Sequence, residues 1–340
     1  MEKVLVGLSG GVDSSVCALL LKQKGYDVIG ATMKLLDGDN ADISDICNKL
    51  DIQCIELDYT DSFKKEVIEY FANEYKECRT PNPCIMCNKK FKFGKFYDYA
   101  KENNIKYIAT GHYAKSEYSS EYGRYVLKKS NNLEKDQSYF LYNIDENMLP
   151  YIIFPLSEYK SKDEIRNIAR ENNLSVYSKS DSQDICFIKN NDYKKFLIDN
   201  NYVNDKVGNI ILNDKIIGKH DGLYKYTIGQ RKGLGLSYEE PLYVIGFDKE
   251  NNNLYVGLEE NLYTKKFRVK DYNLLLVDEI KEPMLVDVKV RYKSKESKAY
   301  IRIIDDYIEV EYLEKQKGVT PGQSAVFYID DIVLGGGIIE

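Results

Sequence analysis

Residues 3–15 read Lys-Val-Leu-Val-Gly-Leu-Ser-Gly-Gly-Val-Asp-Ser-Ser. The apolar run Val4-Leu5-Val6 is short and rich in valine, as expected of a strand buried on both faces. From Ser14 the sequence SSVCALLLKQKG has the pattern of a helix closing near Gly25. Between strand and helix lies Ser9-Gly10-Gly11-Val12-Asp13-Ser14-Ser15. Two glycines allow a ligand to approach the backbone closely. The first N–H groups of the helix and the positive end of its dipole attract phosphate. The loop lacks the Lys-[Ser/Thr] pair of a Walker loop, and no G-x-G-x-x-G fingerprint accompanies it. It reads as a phosphate-binding turn of a different kind.

Working outward, strands are expected at YDVIGATM (26–33), QCIELDY (53–59) and KYIATG (106–111). Helices are expected at ISDICNKL (43–50), DSFKKEVIEYFANEY (61–75, with Asp61 as N-cap), SKDEIRNIARENN (161–173) and NDYKKFLIDNN (191–201). Ser161 and Glu164 stand at capping-box spacing. Strands alternating with helices predict a parallel sheet covered on both faces. After Asn204 the pattern changes to short, often alternating runs separated by Asn, Asp and Gly. In LVDVKVRY, Val286, Val288 and Val290 share one face and Asp287, Lys289 and Arg291 the other. The expected organisation is an α/β domain over 1–203, a small β-rich domain over 204–269 and a β-barrel over 270–340.

The chain has 340 residues, 43% of them hydrophobic, and a net charge of −6. No apolar run reaches membrane-spanning length, and the start lacks the layout of a secretion signal, so a cytoplasmic protein is expected. The negative charge counts mildly against a nucleic-acid binder, but binding follows local patches. Lys89-Lys90-Lys92-Lys95, Lys225 with Arg231-Lys232, Lys265-Lys266-Arg268-Lys270 and Arg291-Lys293-Lys295-Lys298 are such patches, and each reads equally as a solvated face. The seven cysteines are irregularly spaced, which does not suit a disulfide framework in a reducing compartment. Cys17, Cys47 and Cys54 read as small buried hydrophobes.

Cys84 and Cys87 form a single C-x-x-C within TPNPCIMCNKKFKFGK (80–95), behind two prolines and ahead of four lysines. Half of a zinc knuckle needs further ligands, and the chain holds only His112 and His220. A distant cysteine, Cys186 in SDSQDICFIKN, is the remaining candidate.

The loop S-G-G-V-D-S-S resembles that of the pyrophosphate-loop ATP pyrophosphatases. This implies an adenine nucleotide alpha hydrolase-like, Rossmann-like domain in which a substrate oxygen attacks the α-phosphate of ATP and pyrophosphate leaves, with Mg²⁺. An adenylated oxygen awaits a nucleophile, and the thiols supply candidates. One carries a persulfide and the other resolves the intermediate as a disulfide. Nearby lysines favour thiolate. Together, GLSGGVDSS, RTPNPCIMCN, ATGHYA, KDQSYFL, SQDICFI, GLYKYTIGQRKGLG, VRY and TPGQ resemble the bacterial tRNA-specific 2-thiouridylases from end to end.

The resemblance implies site residues. Cys87 matches the nucleophile and Cys186 the cysteine that receives the persulfide. Gly7, Leu8, Ser9, Gly10, Gly11, Val12, Asp13, Ser14, Met33 and Gly111 match nucleotide contacts. Asn82, Pro83 and Cys84 fall where the target base is met. His112, Asp136, Gln137, Ser138, Arg291, Tyr292 and Gln323 match contacts to the anticodon arm of tRNA. A cysteine desulfurase or sulfur carrier is the implied donor. Some members carry Asp where this chain has Cys84. A second sulfur route is therefore open, in which Cys84, Cys87 and Cys186 hold an iron–sulfur cluster that delivers sulfide. On the residues alone, Met33 and Gly111 read also as core and turn, His112 as a satisfied structural histidine, and Arg291 as solvated. Two other functions remain open: a pyrophosphate-loop synthetase that adenylates a small molecule, and a non-catalytic RNA-binding module with a structural metal.

Overall fold

A computed structural model describes residues 1–38, 42–178 and 185–340. Its first unit is a five-stranded parallel sheet of β1 (Lys3–Gly7), β2 (Asp27–Lys34), β3 (Gln53–Asp58), β4 (Tyr107–Ala109) and β7 (Ile152–Ile153), in the order β3-β2-β1-β4-β7. Val4 and Val6 pack against α1 (Val12–Gln23), α2 (Ser44–Leu50) and α7 (Lys162–Glu171). Leu5 points into the opposite core with Phe93 and Phe96. Both faces of β1 are therefore covered, which its unbroken apolar run predicts. Strand order reverses between β1 and β4, so a crevice opens at their carboxyl ends, where ligands bind in such sheets.

Asp61 is not the N-cap of its helix. β3 ends at Asp58, α3 (Thr60–Phe63) begins two residues on, and Asp58 Oδ1 accepts the Thr60 N–H at 3.0 Å. The helix continues through a π-helical stretch at Lys64–Ile68 into α4 (Glu69–Lys76). Ser161 does cap α7: its hydroxyl accepts the Glu164 N–H at 3.3 Å, and Glu164 Oε1 accepts the Lys160 N–H at 3.2 Å.

Cys47 and Cys54 are disulfide-bonded, contrary to their reading as separate buried thiols. The turn from α2 into β3 brings their Cα atoms to 6.1 Å, within bridging distance. Cys17, Cys78, Cys84, Cys87 and Cys186 are free.

The C-x-x-C stretch is helical: α5 (Pro83–Cys87) runs through a π-helical Asn88–Lys95 into α6 (Phe96–Glu102). Proline at the first helical position forfeits only an N–H that has no partner there. The wide turns bring residues five apart, such as Cys87 and Lys92, to the same side. A Cβ on Gly94 would lie 2.8 Å from the Lys89 carbonyl, so glycine suits that position.

A hairpin of β5 (Lys115–Ser119) and β6 (Arg124–Lys128) leaves the first unit and joins the last sheet through Lys128 and Ile332. α8 (Tyr193–Asp199) ends the first unit. The middle sheet has the order β10-β11-β8-β9, with β8 (Gly208–Leu212), β9 (Lys215–His220), β10 (Tyr243–Asp248) and β11 (Asn253–Gly257). Then β12 (Tyr263–Leu274), β13 (Met284–Lys289), β14 (Ser297–Ile304), β15 (Tyr307–Lys317), β16 (Ser324–Ile329) and β17 (Ile332–Ile339) form a barrel, ordered β12-β15-β14-β13-β16-β17 and closed by β12–β17 pairing. β12 runs across residue 270, where the sequence suggested a boundary. Among the described residues no helix is long and apolar enough to cross a membrane.

Candidate active site

The phosphate loop sits in the β1/β4 crevice. Gly10 adopts φ +68°, a conformation that favours glycine. Ser14 Oγ accepts the Ser9 N–H at 3.2 Å and donates to the Gly11 carbonyl at 3.1 Å, and Ser15 Oγ donates to the same carbonyl at 3.0 Å. The serines thus brace the turn from within. Leu8 and Val12 are buried beneath it, while Gly7 ends β1. Gly111 lies against the loop: a Cβ there would fall 3.0 Å from Asp13 C and from Ser14 N. The absence of a side chain at Gly111 is what lets the end of β4 press on the start of α1. Met33, the penultimate residue of β2, lies on the same rim, half-buried against the core.

Two residues that the sequence did not single out hold Asp13. Tyr113 donates its hydroxyl to Oδ1 at 2.9 Å, and Lys162 Nζ lies 2.5 Å from Oδ2. Lys162 opens α7, 149 residues away, and its side chain is only 11% exposed. Sequence spacing carries no signal for such a pair.

The thiols are gathered by packing. Cys87 is buried in a cluster with Phe63, Phe71, Phe91 and Phe187, and Phe187 is the neighbour of Cys186. The Phe187 ring lies 5.3 Å from that of Phe71 and 6.0 Å from that of Phe63. Cys84 and Cys186 reach solvent. Loss of water around the sulfurs raises all three thiols above their ordinary value, Cys186 to about 12. For Cys186 the neighbouring Cys87 and Cys84 push in the same direction. The Lys92 ammonium opposes the rise at each of the three. Burial, then Lys92, drives His112 well below its usual range, so its imidazole is neutral. Among the described residues Lys92 has neither an ion pair nor a side-chain hydrogen bond. Ser182, Gln183 and Asp184 of the SQDICFI motif lie outside the described residues.

The three cysteines do not form a metal site in this arrangement. Among the described residues no three of His, Cys, Asp or Glu come together closely enough to hold a metal ion.

The residues expected to meet tRNA fall into two groups. His112, Asp136 and Ser138 are buried. His112 Nδ1 pairs with Thr110 Oγ1 at 2.8 Å, and Asp136 accepts from the Ser130 N–H at 3.0 Å and the Ser138 hydroxyl at 2.6 Å. Gln137 bridges to Tyr113, accepting its N–H at 3.0 Å. Arg291, Tyr292 and Gln323 belong to the barrel; Arg291 donates to Thr320 within it, while Tyr292 and Gln323 face the first unit. The Tyr292 ring lies 4.5 Å from that of Phe140, whose carbonyl accepts the Asn88 side-chain N–H at 3.1 Å. Gln323 Nε2 donates to the Thr80 carbonyl at 2.7 Å, just ahead of Asn82, Pro83 and Cys84.

A braced phosphate loop at the switch point of a parallel sheet, with a thiol cluster and two β domains, defines a pyrophosphate-loop nucleotide-binding protein. Family profiles agree in extent: a tRNA methyl transferase HUP domain matches residues 2–190, a tRNA methyl transferase PRC-barrel domain 194–258, and an aminomethyltransferase β-barrel domain 264–339. Proteins named tRNA-specific 2-thiouridylase MnmA are similar over the whole chain. That of Clostridioides difficile (strain 630) is 45% identical over 361 residues, covering 100% of this chain and 98% of its own. That of Acetivibrio thermocellus is 44% identical over 357 residues, covering 100% and 99%. The chain belongs to the tRNA-specific 2-thiouridylase family.

Proposed function

We propose that this chain is an ATP-dependent tRNA 2-thiouridylase that replaces the C2 oxygen of the wobble uridine with sulfur through Cys87 and Cys186. ATP lies on the β1/β4 rim with its phosphates over residues 9–14 and its adenine toward Met33 and Gly111. Asp13 is the loop's carboxylate that would hold Mg²⁺, which would offset phosphate charge when bound. The uridine O2 attacks the α-phosphate, a bond to AMP forms and pyrophosphate departs.

A desulfurase or carrier has first placed a sulfane sulfur on Cys186. The terminal sulfur of that persulfide, having lost its proton, bonds to C2, and AMP leaves with the original oxygen. The Cys87 thiolate then attacks Cys186 Sγ. The sulfur–sulfur bond to the base breaks, C2 keeps its sulfur as a thiocarbonyl, and a Cys87–Cys186 disulfide remains for a two-electron reductant. The base must leave its stack to reach the thiols, as base-modifying enzymes require. No step is routed through an iron–sulfur cluster.

One observation carries this reading. Cys186 is held within electrostatic reach of Cys87 because Phe187 is packed in the Cys87 cluster. The paired thiols also favour it over a small-molecule synthetase, for which they would have no use. Cys87→Ser and Cys186→Ser each abolish thiolation while tRNA binding stays within about threefold; normal product from either variant rules the reading out.

A further inference from the structure

Thr80 stands seven residues before Cys87, and all three units meet on it. From the barrel, the Pro321 carbonyl accepts the Thr80 N–H at 2.8 Å, and Gln323 Nε2 donates to the Thr80 carbonyl at 2.7 Å while reaching that of Pro81 at 3.5 Å. From the middle domain, Thr227 Oγ1 lies 3.3 Å from Thr80 Oγ1. Gly322 is flush against this segment. A Cβ there would fall 2.8 Å from Thr80 N and 2.9 Å from Arg79 Cβ, and its φ of +88° strains any side chain.

The turn is backed as well as docked. Arg291 donates to Thr320 Oγ1 at 2.6 Å, and its guanidinium borders Gly318 of the barrel and Gly229 of the middle domain. Beyond Thr80 the chain has little slack. Pro81 and Pro83 fix their φ angles, and α5 begins at Pro83. Wherever the barrel sets Thr80, Cys84 and Cys87 follow.

We infer that Gly322 and Gln323 are positioning residues for sulfur transfer. Their turn docks on Thr80–Pro81 and fixes Cys84 and Cys87 relative to the β domains that carry the tRNA. The inference rests on the reading of Cys87 as a transfer thiol. It gives Gln323 work besides any contact with RNA, since its amide donor is spent within the protein.

Gly322→Ala is the direct test, because a glycine has no side chain with which to meet RNA. In this variant tRNA affinity stays within about threefold, whereas kcat for thiolation falls about tenfold or more, as expected when reacting groups are misplaced. Iodoacetamide labelling of Cys84 and Cys87 in the free enzyme, read by peptide mass, accelerates about tenfold as the segment loosens. Gln323→Glu, which removes the donor and sets a carboxylate against the Thr80 carbonyl, changes both readouts in the same direction and carries the test if Gly322→Ala does not fold. Unchanged labelling and kcat in both variants overturn the positioning role, as does lost tRNA affinity with unchanged labelling. Faster labelling with normal thiolation leaves the docking contact standing but overturns the proposal through its premise, the role of Cys87.

Discussion

Lys162 Nζ lies 2.5 Å from Asp13 Oδ2, joining the start of α7 to the phosphate loop across 149 residues. The side chain of Lys162 is almost fully enclosed while Asp13 is partly open, so the cation is held beneath the loop proposed to receive the phosphates. In the proposed reaction negative charge grows as pyrophosphate separates from the α-phosphate, and a fixed ammonium there would stabilise it without reorganisation.

Lys162→Met should therefore lower kcat/KM for tRNA-dependent pyrophosphate release from ATP about a hundredfold. Lys162→Arg, which keeps the charge, should recover part of it. tRNA binding, measured without ATP, should not change. An unaltered rate of pyrophosphate release in Lys162→Met would show that the pair is only a structural tie.

Lys92 tunes the thiols. Burial holds Cys84, Cys87 and Cys186 above the ordinary thiol value, so at neutral pH the protonated form prevails. Reactivity should therefore climb as pH rises through neutrality. The positive charge of Lys92 opposes the shift, so its removal should raise the thiols further. In Lys92→Met the pH profile of Cys87 alkylation should move upward, with Lys92→Arg close to wild type. His112 should stay neutral in both, because burial is the larger cause of its lowered value. A profile that does not move in Lys92→Met would remove Lys92 from the account.

The basic patches seen in the sequence are unequal. Lys225 is neutralised within the protein by Asp205 at 2.8 Å and Asp221 at 2.6 Å. Lys266 pairs with Glu311, Lys270 with Glu340 and Lys298 with Asp287. Arg231 and Lys232 are exposed and, among the described residues, make no ion pair. Arg231→Ala with Lys232→Ala should weaken tRNA binding and reduce the slope of log affinity against log salt by roughly one to two, because each phosphate contact releases counterions. Lys225→Ala should do much less. Equal losses at Lys225 and at the Arg231–Lys232 pair would contradict the ranking.

The α/β unit was legible because its signals are local. The run Val4–Val6, the glycines of the loop and the helix pattern after it all act within a few residues, whereas the β1/β4 switch on which the loop sits comes from pairing with a strand about a hundred residues later. The break to an all-β half was legible for the same reason, through the alternation of Val286, Val288 and Val290. Long-range pairings were not. Nothing near Cys47 or Cys54 signals that a helix–strand turn will bring them together. The hairpin Lys115–Lys128 shows no sign in its own sequence that it will extend a barrel closed some two hundred residues later. Asp61 falls inside the first turn of α3 because the strand stops at Asp58, one residue short of its expected end, and the helix starts at Thr60, whose N–H Asp58 accepts. At the site, Cys87 and Cys186 could be matched from motifs, whereas Lys162, Tyr113 and the turn at Gly322 become visible only when distant segments meet.

The central claim is that one sulfur passes from Cys186 to the base and leaves the two thiols joined. Enzyme carrying a persulfide on Cys186 would be mixed with ATP and unmodified tRNA for a single turnover, and then mapped by peptide mass alongside nucleoside analysis. The expected result is 2-thiouridine and a Cys87–Cys186 disulfide in equal amounts, both absent without ATP. Thiolated tRNA formed with Cys87 still free, or in amounts unrelated to that disulfide, would contradict the account.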